Sequence, residues 1–142
     1  MNMDTDLIMP RLKKPLTPKE TEAMDAGVLA FVGDAVQTLF VRTKLAVTMG
    51  TKSGAMHRAQ IREVSAGAQA KAFRHIEPML TEEETRIYKR SRNTHTFSSR
   101  RIDVNDYIVA TGLEGLIGYL YLAGKTERLE ELLDAAYAPE DK

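Results

Sequence analysis

Apolar residues recur along this chain at helical spacing, with almost no strand-like alternation, and the pattern predicts an all-α domain. After Asp25, which can cap a helix, Leu29, Val32, Val36, Leu39 and Phe40 repeat every three or four positions. They predict a long helix to about Val47 with those five as its core stripe, and Gly50 follows where a helix would stop. A second long helix is read from Val109, Leu113, Leu116, Ile117 and Leu120. It would be capped by Asp103 or Asn105, run to about Leu122 and end at Gly124. Thr17-Pro18-Lys19-Glu20 is a capping-box pattern with Pro at the first helical position, and Thr81-Glu82-Glu83-Glu84 is another, opening a helix to about Arg90. Ser53 and Ser65 cap two further helices, about 54–63 and 65 to Pro78, and Leu129, Leu132 and Leu133 mark a last one at about 127–137. Residues 93–101 are polar without hydrophobic period and read as an exposed loop. The sum is six or seven helices with no internal repeat.

The 142 residues, 43% of them hydrophobic, suit one domain with a real core. Residues 1–21 read as a polar leader with a short helical turn, 22–137 as the folded domain and 138–142 as a tail. Asp4 and Asp6 make the start unlike a signal peptide. Asp34, Gln37, Arg42 and Lys44 interrupt the apolar run from Val28 to Leu45, so no membrane span is expected. With no Cys, thiolate metal sites are excluded, and a cytoplasmic location is expected. Lys plus Arg equals Asp plus Glu, at 20 each, so net charge does not point to nucleic acid. Its distribution does more. Between Glu84 and Asp103 there is no acid, while Arg86, Lys89, Arg90, Arg92, Arg100 and Arg101 fall in that interval. Such a run is either a solvated helix end or a surface for a polyanion.

Two segments carry candidate chemistry. Leu29-Ala30-Phe31-Val32-Gly33-Asp34-Ala35-Val36 and Thr111-Gly112-Leu113-Glu114-Gly115-Leu116-Ile117-Gly118-Tyr119-Leu120-Tyr121-Leu122 each set one carboxylate inside an apolar helix. The stripes beside the two cores read Gly27, Ala30, Asp34, Gln37, Val41 and Tyr107, Thr111, Glu114, Gly118, Tyr121. A charge on such a face is costly unless paired or bound to a metal. Asp34 and Glu114 could therefore converge on a divalent cation, or each could pair with an Arg or Lys. Gly33, Gly112, Gly115 and Gly118 weaken their helices by about 1 kcal/mol each relative to Ala, which suggests close helix packing or room for a ligand. His57, His75 and His95 lie on different elements without ligand spacing.

The first of these segments resembles the signature of the ribonuclease III catalytic domain, and the second resembles that domain's last catalytic helix. Val64-Ser65-Ala66-Gly67-Ala68-Gln69-Ala70-Lys71 falls where the family has its middle helix. His57, Thr81-Glu82-Glu83-Glu84 and Lys89-Arg90-Ser91-Arg92-Asn93 add to the likeness, which covers about residues 22–137 and is greatest to the short branch of the family, Mini-ribonuclease III. That branch lacks a double-stranded-RNA-binding domain, and none is expected after Lys142. Two acids of full-length ribonuclease III are replaced by Ala30 and Thr111, as in the short branch. Three positions depart from that branch: Ser91 for Gly, Ile108 for Arg and Leu113 for Phe.

The resemblance implies a homodimeric ribonuclease III endonuclease-domain fold. It implies Asp34 and Glu114 as catalytic metal ligands for Mg²⁺, with Mn²⁺ as a substitute, and hydrolysis of double-stranded RNA to 5′-phosphate and 3′-hydroxyl ends. The dimer seam would lie along the signature helix, around Gly33 and Phe31. Without an added binding domain, Lys89, Arg90, Arg92, Asn93, Arg100 and Arg101 would grip the RNA. The role implied is maturation of the 23S ribosomal RNA precursor, with a large-subunit ribosomal protein as a further partner. The rival reading is a non-catalytic helical homodimer that binds structured RNA or a ribosome-assembly intermediate. A plain protein-interaction module is a third.

Overall fold

A computed structural model describes residues 16–48, 58, 65–93 and 104–138. Its elements in chain order are α1 (Pro18–Glu22), α2 (Ala26–Thr48), α3 (Ala66–Ile76), a 3-10 turn (Glu77–Met79), α4 (Glu82–Arg92), α5 (Val104–Leu122) and α6 (Thr126–Ala136). No strand occurs among the described residues, as the periodicity predicts. Of the expected helix at 54–63 only Arg58 is described, and it is helical; the loop from 94 lies outside the described residues.

The starts and stops follow from local chemistry. Thr17 and Thr81 each close a capping box, with Glu20 and Glu84 respectively. The Asp25 carboxylate accepts from the amides of Gly27 and Val28, at 2.9 and 3.3 Å, and starts α2. Ser65 caps α3 through the Ala68 amide. Helix α5 is described from Val104, with Asn105 in its first turn, and Asp103, the other expected cap, lies outside the described residues. Gly124, at φ 74°, turns the chain out of α5, and the Lys125 amide closes back on the Leu120 carbonyl at 2.9 Å.

Helix α5 is the axis of the fold, with α2, α3, α4, α6 and α1 packed on it. From Gly112 to Leu120 every residue but Glu114 is buried. Leu29, Phe73, Ile76, Ile87, Leu113, Leu116, Tyr119, Leu120 and Leu132 fill the core. Phe73 and Tyr88 stack with ring centres 4.0 Å apart.

Helix α2 corrects the expected stripe. Leu29 is buried, but Leu39 is 47% exposed, and the buried face is Ala26, Leu29, Ala30, Gly33, Gln37, Val41 and Leu45. The helix is turned so that its small residues face α5. Carbonyl-to-backbone proximity explains the turn. A Cβ on Gly33 would run into the Glu114 carbonyl, and one on Gly118 into the Leu29 carbonyl. Leu29 meets Gly118 and Gly33 meets Glu114, so the two helices run antiparallel. Helix α2 is long and apolar enough to cross a membrane by length and composition alone; in this fold its small-residue face is spent on α5.

The expected leader boundary after residue 21 falls inside α1. Thr21 is fully buried, and the Leu16 amide donates to the Leu122 carbonyl at 3.1 Å.

Candidate active site

Glycine contact along α2 and α5 brings Asp34 and Glu114, eighty positions apart in the chain, into one place. Gly33 places its helix so close to Glu114 that the next residue, Asp34, reaches the Glu114 carboxyl and hydrogen-bonds to it. Asp34 is exposed and Glu114 half-buried, so the pair opens to solvent from the edge of the core. Helix α3 adds a third group. Gln69 is 5% exposed and donates a side-chain hydrogen bond to Glu114.

The electrostatics follow from burial and like charge. Burial, then the Asp34 charge and the hydrogen bond between the two acids, push Glu114 up to about 8; the Gln69 amide opposes this by favouring the carboxylate. Glu114 therefore keeps its proton at neutral pH and hydrogen-bonds to Asp34. Among the described residues no ion pair joins either acid to an Arg or Lys. A hard divalent cation fits this donor set, two carboxylates side by side with Asp34 open to solvent. No cluster of three or more His, Cys, Asp or Glu suited to a metal occurs among the described residues, so the site offers two carboxylates. His75 is turned away, with Nδ1 3.1 Å from the Ala136 carbonyl, and His57 and His95 lie outside the described residues.

The basic residues divide. Arg90 donates to the carbonyls of Glu22 at 2.7 Å and Met24 at 3.2 Å. It thereby satisfies acceptors left open where α1 ends, and its guanidinium works inside the subunit. Arg86, one turn earlier, clasps Glu22 with two hydrogen bonds of 2.8 and 3.1 Å. Lys89 and Asn93 are exposed on α4 and at its end, and Arg92 is half-buried over the Tyr88 ring, 5.6 Å from its centre. Arg100 and Arg101 lie outside the described residues. Gly33, expected at a subunit seam, is buried within the chain against α5.

Sequence reasoning gave Gln69 no role. A signal was there: Gln69, Phe73 and Ile76 share the buried face of α3, so a carboxamide stands at a core position. The departures from the short branch find their places too. Ser91 is fully buried against Gly115, whose missing side chain leaves it room, and Leu113 is fully buried in the core. Ile108 is half-buried, and nothing in the structure explains its replacing an Arg.

Residues 27–125 match the Ribonuclease III domain family, and the chain belongs to it. It is a nuclease of the ribonuclease III type. Among its relatives are proteins named Mini-ribonuclease 3. That of Thermoanaerobacter is 39% identical over 84% of each chain, and that of Clostridium tetani 40% identical over 86% of this chain and 82% of its own. That of Brevibacillus brevis is 46% identical over 78% of this chain and 84% of its own. A crystal structure of a Fusobacterium nucleatum protein has the same fold, with a TM-score of 0.71 and 31% identity over 79% of this chain and 90% of that one.

Proposed function

We propose that this nuclease is a metal-dependent endoribonuclease that cuts double-stranded RNA as a homodimer, with Asp34 and Glu114 as the ligands of Mg²⁺ or Mn²⁺. The meeting of those two acids, without a cationic partner among the described residues, carries the reading. When bound, the cation supplies a water of lowered pKa and stabilises charge on the phosphate in the transition state. The chain's own groups do the rest. Glu114 gives up its proton, the two acids present oxygens from rigid helices, and the glycine contact beneath fixes their separation.

A-form RNA is gripped through phosphates and 2′-hydroxyls. Lys89, Arg92 and Asn93, with Arg100 and Arg101, are our RNA-binding residues; Arg90 supports them by holding α4 to the α1–α2 junction. For the dimer seam we propose the exposed stripe Val28, Phe31 and Leu39 of α2, where Phe31 is 79% exposed beside Asp34. A two-fold dimer would then set one pair of acids against each strand. We further propose cytoplasmic maturation of the 23S ribosomal RNA precursor as the role, with a large-subunit ribosomal protein presenting the RNA, on the likeness to the Mini-ribonuclease 3 proteins.

The test is cleavage of a long RNA duplex with Mg²⁺ by wild type and Asp34→Asn side by side. Wild type cuts, and the variant loses at least about 10²-fold in rate, because one oxygen ligand and its charge are gone. Equal cutting by both proteins, or none by wild type on duplex or ribosomal precursor, would sink the reading.

A further inference from the structure

Gln69 is a polar side chain buried to 5% exposure at a position where a helix packed on α5 would ordinarily carry an apolar residue. Ala68 and Ala70 flank it, and Phe73 and Ile76 anchor the same face of α3 in the core. Its amide donates to Glu114. A buried amide that gained nothing from its site would cost stability relative to a hydrocarbon of the same shape. The chemistry of the donor is telling. Elsewhere in this protein a buried acid, Glu84, is held by a guanidinium, Arg128, at 2.8 Å. Such a cation fixes a carboxylate and also cancels its charge. A carboxamide fixes it and leaves the charge in place.

We propose that Gln69 is the positioning residue of the acid pair: from α3 its neutral amide holds the Glu114 carboxylate in one orientation toward Asp34, leaving its other lone pairs and its full charge for a divalent cation. The inference rests on the reading of Asp34 and Glu114 as the cation-holding acids. It adds a third helix to the site. Asp34 and Glu114 are set by the α2–α5 contact, while the rotamer of Glu114 is set by α3.

The probe is Mn²⁺ binding, read by the electron paramagnetic resonance signal of the free ion, together with the Mg²⁺ dependence of duplex cleavage. Gln69→Met keeps length and removes the donor; Gln69→Leu is the second variant should Met repack poorly, and circular dichroism checks that each is folded. The expected result is Mn²⁺ binding weakened about tenfold or more, half-activation at correspondingly higher Mg²⁺, a lower kcat and an unchanged KM for RNA. A role confined to core packing would lower the melting temperature and leave Mn²⁺ affinity alone. A folded Gln69→Met that binds Mn²⁺ as wild type does overturns the proposal while the nuclease reading stands. Wild type that binds Mn²⁺ without cutting RNA overturns that reading instead, and the binding arm still decides Gln69. Wild type that binds no Mn²⁺ overturns both.

Discussion

The same protein treats buried acids in two opposite ways. On the side where α4 meets α6, Glu84 is 5% exposed and Arg128 meets it through two hydrogen bonds, of 2.8 and 2.9 Å. Burial acts to raise its pKa, but the Arg128 and Thr81 hydrogen bonds together outweigh it and hold Glu84 below the usual carboxylate range. Where α2 meets α5, Glu114 faces Asp34 and a neutral amide, and its pKa goes the other way. The first arrangement is closed and lends stability. The second keeps an electrostatic debt that only an incoming cation, or a proton, can settle. The proposed site thus differs from the closed pair in having no cationic partner among the described residues.

Breaking the close approach should have the largest effect. Gly33→Ala sets a methyl against the Glu114 carbonyl, a backbone atom that cannot step aside. We expect a loss of about 3 kcal/mol or more in urea melts, at the upper end of overpacking, and loss of Mn²⁺ binding in whatever folds. An unchanged melt would show that the helices do not depend on this contact.

The two acids should next be told apart by pH. Burial beside Asp34 raises Glu114 to about 8 in the folded protein, against an ordinary carboxyl value of 4.5. The native state therefore holds a proton that the unfolded chain has released. That stability is complete below about 4.5 and is lost as pH rises toward about 8. Glu84, lowered from 4.5, does the reverse: its contribution is present above that value and is lost as pH falls through the folded pKa. Melting in EDTA should thus weaken from pH 5 to pH 8; saturating Mg²⁺ should flatten the slope, and Asp34→Asn should lessen it only in part, because burial, the largest cause, remains. A metal-free profile already flat over that range would contradict the proton held on Glu114.

Arg128→Ala should cost about 2 kcal/mol, less than a fully buried pair because Arg128 is 23% exposed, and should leave Mn²⁺ affinity unchanged. A changed affinity would mean that the two regions are coupled. Smallest is the packing of Ser91. Gly115→Ala should cost about 1–2 kcal/mol by thermal melting, and Ser91→Gly in the same chain should restore most of it, since the clash is between those two residues. Additive losses would place the strain elsewhere.

Much of this was legible in the sequence. The capping boxes at Thr17 and Thr81, the cap at Asp25 and the stop at Gly124 act through neighbours three or four residues away, so local order suffices to read them. The stripe Leu113, Leu116, Ile117 and Leu120 is buried as its period implies. Helix α2 was read less well, because apolar residues lie on more than one of its faces. Leu39 stayed out, while Gln37 and Gly33 went in, and helix period cannot say which face a glycine contact will select. Arg90 looked like part of a basic patch, yet the carbonyls it serves belong to residues 22 and 24, which no spacing within α4 reveals.

By itself the sequence determined the helices, their caps and the two carboxylates, since each depends on side chains close together in the chain. Only the tertiary structure decided that Asp34 and Glu114 touch, that Gln69 joins them from a third helix and that no Arg or Lys among the described residues pairs with them. The reason is that charge, burial and hydrogen bonding are properties of a place in space, and that place exists only once α2, α3 and α5 have packed.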